Sequence, residues 1–457
     1  MITTEDVVRA TGGILLNGDM KIAFSGVTQD SRSLKPGELF VALKGPRFDG
    51  HEFVLEAIKK GAKGALLEYW PANVNIFELH KAISIIKVSN TYKALRDLAS
   101  YWRKKLGAKV VGITGSSGKT TTKEFLAGLL EELGVYKCPG NWNNLIGVPL
   151  SILNAPQGIR FLILELATNQ PGEIPTLTEL ADPEVAVLLG VKPAHLEGFL
   201  SFEDYFAEKL ALFSSSRGAL VYPFDQEEIK VLVERTYSSR PHRSFGFKRG
   251  ADFLASEIKL STQGTEFRLE HAGKTYQVRL PILGQHFVWD FLAALAAASF
   301  LVPEWEGLLE RVPYLKTLPR RCELKKGIGF WVLDDTYNAN PASLKAGIEV
   351  AKNLKEKFKR LIAVIGPMRE LGEETDFWHR KMGEELSRNF DLLYVVGEEA
   401  RGVIEASEGK GLFFEDKEAL LEALKKELRE GDLVYVKASR AIGLEELVDK
   451  LLVSVGG

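Results

Sequence analysis

Short hydrophobic runs alternate with segments of helical periodicity in the middle of the chain. The runs consist of β-branched and aliphatic residues, which is typical of strands that are buried on both faces of a parallel sheet. They are KVVGITG (109–115), FLILEL (161–166), VAVLLGV (185–191) and GALVY (218–222). A helical run, TTTKEFLAGLLEELG (120–134), follows the first of them directly. This alternation predicts a parallel-sheet α/β domain.

The same alternation restarts in the last third of the chain. The strand-like runs are FWVLDD (330–335), RLIAVIG (360–366), LLYVVG (392–397) and LVYVKAS (433–439). Segments with helical patterns separate them, at 341–358, 375–389 and 416–429. The pattern predicts a second doubly wound, Rossmann-like α/β unit.

The remaining segments indicate where the domains end. Residues 1–105 hold short strand-like runs and finish on an amphipathic helix at 91–106, while residues 244–283 are rich in strands. Three prolines among charges mark a boundary near 303–320. Together with a length that suggests about three domains, these signals predict an α/β protein with domains at 1–105, 106–312 and 313–457.

Composition restricts the classes of partner. Hydrophobic residues make up 45% and charged residues 26% of the 457 residues, which is typical of a soluble globular protein. Lys and Arg (59) nearly balance Asp and Glu (61), so the formal net charge is -2. Because no global field favours nucleic acid or anionic lipid, we expect neither as a partner.

Three further observations indicate a cytoplasmic protein. Cys138 and Cys322, the two cysteines, lack the spacing of a metal site and indicate reduced thiols. The N-terminus carries acidic residues without the long apolar run of a signal peptide. No apolar stretch approaches the ~18 residues needed to span a bilayer.

The strongest chemical signal is a glycine-rich turn between the strand at 109–115 and the helical run that follows. It reads Thr114, Gly115, Ser116, Ser117, Gly118, Lys119, Thr120 and Thr121. Backbone N–H groups in such a turn bind phosphate oxygens, and the helix N-terminus adds partial positive charge. Lys119 would reach the terminal phosphates of a nucleotide, and the Thr120 hydroxyl would bind Mg²⁺. Ile113 replaces the first glycine of the full phosphate-loop pattern, so a plain strand-to-helix turn stays open as the alternative.

Three downstream residues have both a chemical and a structural interpretation. Glu165 ends a strand at the carboxyl edge of the sheet, and it is either a magnesium ligand or a solvated acid. His195 follows another strand, and it is either a metal ligand or a hydrogen-bonded structural residue. Lys209 lies near the buried side of a predicted helix, where a lysine usually extends its ammonium group to solvent.

Six motifs, taken together and in order, resemble the Mur ligase family of peptidoglycan synthesis over essentially the whole chain. They are TGSSGKTTTKE (114–124), GNWNNLIGVP (140–149), LELATNQPGEI (164–174), AHLEGF (194–199), LDDTYNANP (333–341) and KASR (437–440). The N-terminal segment 27–53 resembles the family's module for a UDP-linked substrate. The segment DDTYNANP resembles the member that adds D-alanyl-D-alanine to UDP-MurNAc-tripeptide. The Asp-Asn-Pro-Arg-type loop of the diaminopimelate- or lysine-adding member is not found in the sequence.

The resemblance implies a UDP-substrate domain, a central ATPase domain and a C-terminal domain that closes on the amino substrate. ATP would phosphorylate the tripeptide carboxylate, and the dipeptide amine would attack the acyl phosphate. The implied catalytic residues are Lys119, Lys209, His195 and Arg321, in a chain expected to act as a monomer. Two Mg²⁺ ions are implied, with Thr120, Glu165, His195 and a carbamylated Lys209 as ligands. A carbamate supplies anionic oxygens for Mg²⁺, which a protonated ammonium cannot.

The resemblance also implies the residues that contact each substrate. Beyond the phosphate loop, the nucleotide would meet Asp290, Arg321 and Asp335. The UDP-linked substrate would meet Ser31, Arg32, Asp49, His51, Asn141, Asn144 and Asn169. The amino substrate would meet Tyr337, Asn338, Lys437 and Ser439.

The chain departs from the family's motifs at four positions. Phe287 and Asp290 replace the two asparagines that the family usually places near adenine, which predicts an unusual base contact. Pro367 and Ala438 replace a common Asp and Gly in the domain for the amino substrate.

Rival functions come from the same architecture and from another class. The first group contains another Mur ligase and a folate polyglutamyl ligase, although the folate enzyme is expected to begin near its phosphate loop. The rival from another class is a nucleotide-switched ATPase that makes no product, which would release phosphate without an amine acceptor.

Overall fold

The computed structural model describes residues 1–71, 75–192 and 198–454. The chain forms two compact units. The first consists of Met1–Ala251 with Ala293–Glu306, and the second of Asp252–Leu292 with Gly307–Gly457.

The first unit begins with a small α/β layer. Its elements are β1 (Ile2–Thr3), α1 (Thr4–Thr11), β2 (Ile14–Asn17), β3 (Ala23–Phe24), β4 (Val27–Thr28), β5 (Leu39–Val41), α2 (Val54–Lys59), β6 (Gly64–Leu67), β7 (Ser84–Lys87) and α3 (Thr91–Leu106). A five-stranded sheet has the order β2-β7-β6-β5-β4, in which only β2 is antiparallel to its neighbour. The predicted helix at 91–106 is confirmed, and it begins where the Asn90 side chain accepts a hydrogen bond from the Lys93 N–H.

The first unit continues with a parallel sheet. Its elements are β8 (Lys109–Thr114), α4 (Lys119–Leu129), β9 (Val135–Lys137), α5 (Gly147–Leu153), β10 (Phe161–Glu165), α6 (Glu173–Ala181), β11 (Val185–Leu188), α7 (Phe202–Ser215), β12 (Ala219–Pro223), α8 (Glu227–Thr236) and β13 (His242–Gly246). These strands follow the parallel order β13-β12-β11-β8-β10-β9, so the predicted parallel α/β unit is confirmed. Because β8 and β10 are neighbours, with Glu165 opposite Ile113, the turn after β8 and the end of β10 meet at one edge.

Helix α3 joins the two layers of the first unit into one core. It packs against α1, α5 and α6, and buried residues of α3 share a hydrophobic cluster with Leu150 and Leu177. Residues 1–105 therefore form one compact unit with the residues that follow, although the sequence places a domain boundary at 105/106. Residues Asp252–Leu292 belong to the same compact unit as the C-terminal residues. The sequence analysis places Asp252–Leu292 in the middle domain instead.

The second unit holds an antiparallel ribbon and a mixed sheet. Its elements, with the helix that links it to the first unit, are β14 (Phe253–Ser261), β15 (Gly264–His271), β16 (Lys274–Leu280), α9 (Gln285–Leu301), β17 (Glu323–Lys326), β18 (Phe330–Asp334), α10 (Pro341–Asn353), β19 (Arg360–Ile365), α11 (Thr375–Asn389), β20 (Leu392–Val396), α12 (Arg401–Glu405), β21 (Gly411–Phe414), α13 (Lys417–Glu427), β22 (Asp432–Lys437) and α14 (Leu444–Ser454). The mixed sheet has the order β17-β18-β22-β19-β20-β21, parallel except for β17. The predicted Rossmann-like alternation is confirmed. Strands β17 and β21 were not predicted, because each is only four residues long and β17 carries a single apolar residue.

Two sequence expectations concern the chain as a whole. Cys138 and Cys322 are both free and buried, as expected of reduced thiols. Among the described residues, no helix combines the length and the apolar character that crossing a membrane requires.

Candidate active site

The glycine-rich turn has the geometry of a phosphate loop. Gly118 lies immediately before α4 with a φ of 84°, a left-handed conformation that glycine adopts without strain. The turn therefore delivers the N-terminus of α4, with its backbone N–H groups and partial positive charge, to the sheet edge. The Lys119 ammonium folds back and donates a hydrogen bond to the Gly115 carbonyl at 2.8 Å. Loop, helix and lysine together have an arrangement that can bind an anion, and this favours a phosphate loop over a plain strand-to-helix turn.

Glu165 is a buried carboxylate that faces this loop. The residue is only 2% exposed, so the alternative of a solvated acid at the strand end is wrong. The Thr120 hydroxyl donates to Glu165 Oε2 at 3.1 Å, and Asn143 Nδ2 donates to Oε1 at 3.0 Å. A buried carboxylate beside a phosphate-loop threonine supplies the hard oxygen ligands that Mg²⁺ prefers.

Lys209 is buried next to the same strand ends. Its side chain is 2% exposed and Nζ lies 3.3 Å from Thr114 Oγ1, so the ammonium does not extend to solvent and that alternative is wrong. Burial, assisted by the charge of Lys119, lowers the pKa of Lys209 to about 6. Lys209 is therefore a mainly neutral amine at neutral pH.

The helix that carries Lys209 also fixes a neighbouring loop. Glu208 on α7 accepts hydrogen bonds from the backbone N–H groups of Gly172 and Ile174, at 2.9 and 2.7 Å. The carboxylate thereby binds backbone donors at the N-terminus of α6 that have no partner within the helix, which is the usual function of a capping side chain. The preceding segment holds Asn169, one of the predicted contacts of the UDP-linked substrate. His195 lies outside the described residues.

Sequence reasoning missed two residues around Glu165. Asn143 lies between the predicted Asn141 and Asn144, and it alone of the three donates a hydrogen bond to Glu165. The second, Lys123, lies one turn beyond Lys119 on α4 with its ammonium group 3.5 Å from Glu165 Oε2. The motifs GNWNN and TTTKE contain both residues, but the letters do not reveal which side chains turn inward.

The predicted UDP-substrate residues Asp49 and His51 follow β5 and hydrogen-bond to each other. His51 is buried, its Nδ1 lies 2.6 Å from Asp49 Oδ1, and its Nε2 accepts the Glu68 N–H at 2.9 Å. The Tyr69 ring stacks on His51, and its hydroxyl donates to Asp49. Burial would raise the pKa of Asp49, but hydrogen bonds from Tyr69 and His51 lower it to about 2. His51 therefore acts within the fold by holding the Asp49 carboxylate.

The other predicted UDP-substrate residues lie on two loops. Ser31 and Arg32 follow β4, at the same edge of the small sheet, where the Arg32 guanidinium is paired with Asp30 at 2.8 Å. Asn144 Oδ1 accepts the Gly147 N–H at 2.8 Å and so starts α5, while the side chain of Asn141 is exposed. Arg32, Asn141 and Asn144 are thus exposed, whereas Ser31 is buried.

In the second unit, Asp335 and Lys437 form a buried ion pair. Lys437 Nζ donates to Asp335 Oδ2 at 2.6 Å, and the Tyr435 hydroxyl donates to the same atom at 3.1 Å. Asp335 Oδ1 accepts the Cys322 N–H at 3.1 Å. The predicted nucleotide residue Asp335 and the predicted amino-substrate residue Lys437 therefore belong to one network.

Around this network lie the other predicted residues of the C-terminal sheet edge. The Arg321 guanidinium lies 4.3 Å from the ring centre of Tyr337, and that of Arg440 lies 5.6 Å from it. Ser439 accepts the Arg369 N–H at 2.8 Å, which fixes the loop after β19. The Asn338 side chain turns back to the N–H of Ala339, at 2.9 Å.

Asp290 is a buried acid at the start of α9. Burial raises its pKa well above the usual range, although Arg321 opposes the shift. Burial therefore favours the protonated form of Asp290, which lacks the NH₂ group of an asparagine amide. The neighbouring His286 is also neutral, because burial lowers its pKa to about 3.

Comparisons with known proteins agree with this geometry. Residues 113–298 match the Mur ligase middle domain, residues 320–440 the Mur ligase glutamate ligase domain, and residues 23–103 the Mur ligase family catalytic domain. A UDP-N-acetylmuramoyl-tripeptide–D-alanyl-D-alanine ligase of Bacillus subtilis is 32% identical, over 99% of this chain and 98% of that protein.

Two solved structures extend the comparison to the fold. The crystal structure of MurF from Acinetobacter baumannii superposes with a TM-score of 0.87 at 29% identity, over 98% of both chains. MurF ligase from Thermotoga maritima in complex with ADP gives a TM-score of 0.81 at 32% identity, over 94% of this chain and 97% of that one. The predicted three-domain α/β fold is thereby confirmed, and the chain belongs to the Mur ligase family.

Proposed function

We propose that this enzyme, an ATP-dependent ligase, joins D-alanyl-D-alanine to the terminal carboxylate of UDP-N-acetylmuramoyl-tripeptide in peptidoglycan precursor synthesis. The choice of these two substrates is supported by the full-length similarity to UDP-N-acetylmuramoyl-tripeptide–D-alanyl-D-alanine ligases. The structural observation that carries the chemistry is the buried Glu165 carboxylate, hydrogen-bonded to Thr120 of the phosphate loop. Together they match a site for a nucleotide bound with Mg²⁺.

The reaction proceeds in two steps. An oxygen of the tripeptide carboxylate attacks the γ-phosphorus of ATP, and the bond to the β-γ bridging oxygen breaks, which gives ADP and an acyl phosphate. The dipeptide amine then attacks the acyl carbon, loses a proton, and expels inorganic phosphate to leave the amide. Lys119 and the N-terminus of α4 neutralise charge on the phosphates, which is the main protein contribution to such transfers.

The residues around Glu165 fit a Mg²⁺ ion. The carboxylate of Glu165 and the hydroxyl of Thr120 would hold it, and the ion would supply charge neutralisation at the phosphate oxygens. Within the described ranges no cluster of three or more His, Cys, Asp and Glu forms a metal site. By the resemblance to the Mur ligases, the ligands of a second ion would include Lys209 and His195.

Lys209 has the properties that carbamylation requires. Its pKa of about 6 makes the neutral amine the predominant form at pH 7. The amine lone pair attacks the carbon of CO₂, one proton leaves, and the resulting carbamate carries the negative charge. This carbamate would bring anionic oxygens beside Thr114, at the edge where the phosphate loop begins.

The remaining parts of the proposal follow from the same substrates. The loops after β4 and β5 would contact the UDP-linked substrate, and the sheet edge around Tyr337 would contact the dipeptide. The reaction would take place in the cytoplasm, because ATP and the UDP-linked precursor are both available there. The enzyme would act as a single chain.

One mass-spectrometric assay tests the function directly. The chain is incubated with ATP, UDP-MurNAc-tripeptide and either D-Ala-D-Ala, diaminopimelate, lysine or glutamate. We expect the ligated product with the dipeptide alone, and release of phosphate that depends on it. Phosphate release without any amine acceptor would favour the nucleotide-switched ATPase, and a product with another amine would favour a different ligase.

We expect weak discrimination between ATP and GTP, because Phe287 offers no amide to the base. The ratio of kcat/KM for the two nucleotides should stay below about a hundredfold, as in pockets without fully paired hydrogen bonds. Asp290→Asn should raise the ratio by supplying an amide, and Asp290→Leu, without polar atoms, should not. A strong preference for ATP in the unaltered chain would show that other groups recognise the base.

A further inference from the structure

Lys123 has an ammonium group buried among acceptors of the candidate active site. The side chain lies on α4 and is 1% exposed. Nζ donates to the carbonyls of Cys138 at 3.1 Å and Gly140 at 2.7 Å, and Glu165 Oε2 lies 3.5 Å away. The carboxylate of Glu124 lies farther, at 3.9 Å. Three nearer acceptors match the three protons of an ammonium group.

Helical periodicity explains how Lys123 reaches Glu165. Residues three positions apart lie on the same face of a helix, so Thr120 and Lys123 both face the end of β10. Thr120 and Asn143 donate to the Glu165 carboxylate, and Lys123 approaches it from the same helix as Thr120. Glu165 is therefore held by α4 at two points and by the loop after β9 at a third.

The same ammonium group also fixes the course of that loop. Cys138 and Gly140 belong to the segment Cys138–Asn144, which connects β9 to α5 and carries the asparagines predicted to meet the UDP-linked substrate. Gly140 has a φ of 48°, so its carbonyl is oriented by a left-handed turn that points it at Lys123. The Lys123 side chain thus connects helix α4 to Glu165 and to the loop between β9 and α5.

Filling of the core does not account for a lysine at this position. Its neighbours on α4, Phe125 and Leu126, are fully buried hydrophobic residues. A leucine or methionine would fill the space without burying a charge, which is costly unless the charge is fully paired. The acceptors around Nζ, rather than the filling of the core, therefore explain the buried charge.

We propose that Lys123 is a positioning residue for ligation, which fixes the segment Cys138–Asn144 and the Glu165 carboxylate against the phosphate-loop helix. The part of this inference that concerns catalysis rests on the proposed function, in which Glu165 holds Mg²⁺. The part that concerns the loop is independent of it.

Hydrogen exchange on the metal-free, nucleotide-free chain tests the loop directly. In Lys123→Met, which keeps the volume and removes the donors, backbone amides at 138–147 should exchange about tenfold faster than in the unaltered chain. Leu126→Ala is the control, because it removes a fully buried side chain of the same helix and keeps the Lys123 ammonium with its three acceptors. Equal local exchange in Lys123→Met and the unaltered chain, or an identical pattern in both variants, would overturn the proposal.

Kinetics then separate positioning from stability. Lys123→Met should lower kcat for ligation about a hundredfold, as displacements of about 1 Å do, while ADP binding without Mg²⁺ changes less than about threefold. Lys123→Arg, which keeps charge and donors, should recover part of kcat, and Leu126→Ala should leave kcat unchanged below its melting temperature.

Two further outcomes also test whether Lys123 is a positioning residue. If Lys123→Met does not fold, Lys123→Arg and Lys123→Gln replace it, and equal kcat and loop exchange in those two would reject a role for the charge. If the unaltered chain shows no ligation, the proposed function fails, yet the exchange measurement still decides whether Lys123 fixes the loop.

Discussion

Lys119→Ala is expected to abolish ligation while the UDP-linked substrate still binds. The Lys119 ammonium lies within the phosphate loop, 2.8 Å from the Gly115 carbonyl. Because it is placed to neutralise the transferring phosphate, its loss should lower kcat by about a thousandfold. Product formation by mass spectrometry and substrate affinity by calorimetry measure the two effects separately.

The matched control is Lys104→Ala, which removes an exposed lysine of α3. It should leave both kcat and the affinity for the UDP-linked substrate unchanged. The separation of effects is expected because four of the predicted UDP-substrate residues lie on the loops after β4 and β5, which belong to a different sheet from the phosphate loop. Equal loss of ligation and of UDP-substrate affinity in Lys119→Ala would contradict that assignment.

The sequence predicts the phosphate loop and the strands around it because their signals are local. A β-branched run, a Gly-Ser turn and a helical pattern lie within about twenty-five residues, and each follows from backbone preferences. Glu165 was identifiable for the same reason, as the last residue of an apolar strand that ends at the ligand edge of a parallel sheet.

The sequence does not predict which distant segments are in contact in the folded chain. Nothing local indicates that His51 uses both ring nitrogens within the fold, or that Asp335 and Lys437, about a hundred residues apart, form one ion pair. The sequence likewise does not show that Leu95, Leu98 and Trp102 of α3 belong to a hydrophobic core shared with later helices. The domain boundary at 105/106, just after these residues, stays a prediction.

Burial also decided between alternatives that the sequence left open. A lysine on a helix with an apolar face usually extends its ammonium group to solvent, and only the structure shows that Lys209 does not. The shift in its pKa then follows from burial and from the proximity of Lys119. Both causes depend on tertiary packing, which no spacing of residues encodes.

Lys209→Ala is expected to lose most ligation activity, by about a hundredfold or more, because the carbamate oxygens proposed to bind Mg²⁺ disappear. Acetate or formate should restore part of the rate, since either acid places a carboxylate in the space that the carbamate occupied. The same acids should do nothing for Lys119→Ala, whose missing group is a cation. Rates measured against acid concentration in both variants distinguish the two cases.

Carbamylation can also be observed without an activity assay. In the unaltered chain supplied with ¹³C-bicarbonate, a carbamate carbon signal should appear in the NMR spectrum and be absent from Lys209→Ala. Because the pKa of Lys209 is lowered to about 6, the neutral amine predominates above that pH. The signal should therefore be strong at pH 8 and fade as the pH falls through about 6, where protonation removes the nucleophile. Full activity of Lys209→Ala, or no carbamate signal in the active enzyme, would leave Lys209 as a buried structural amine beside Thr114.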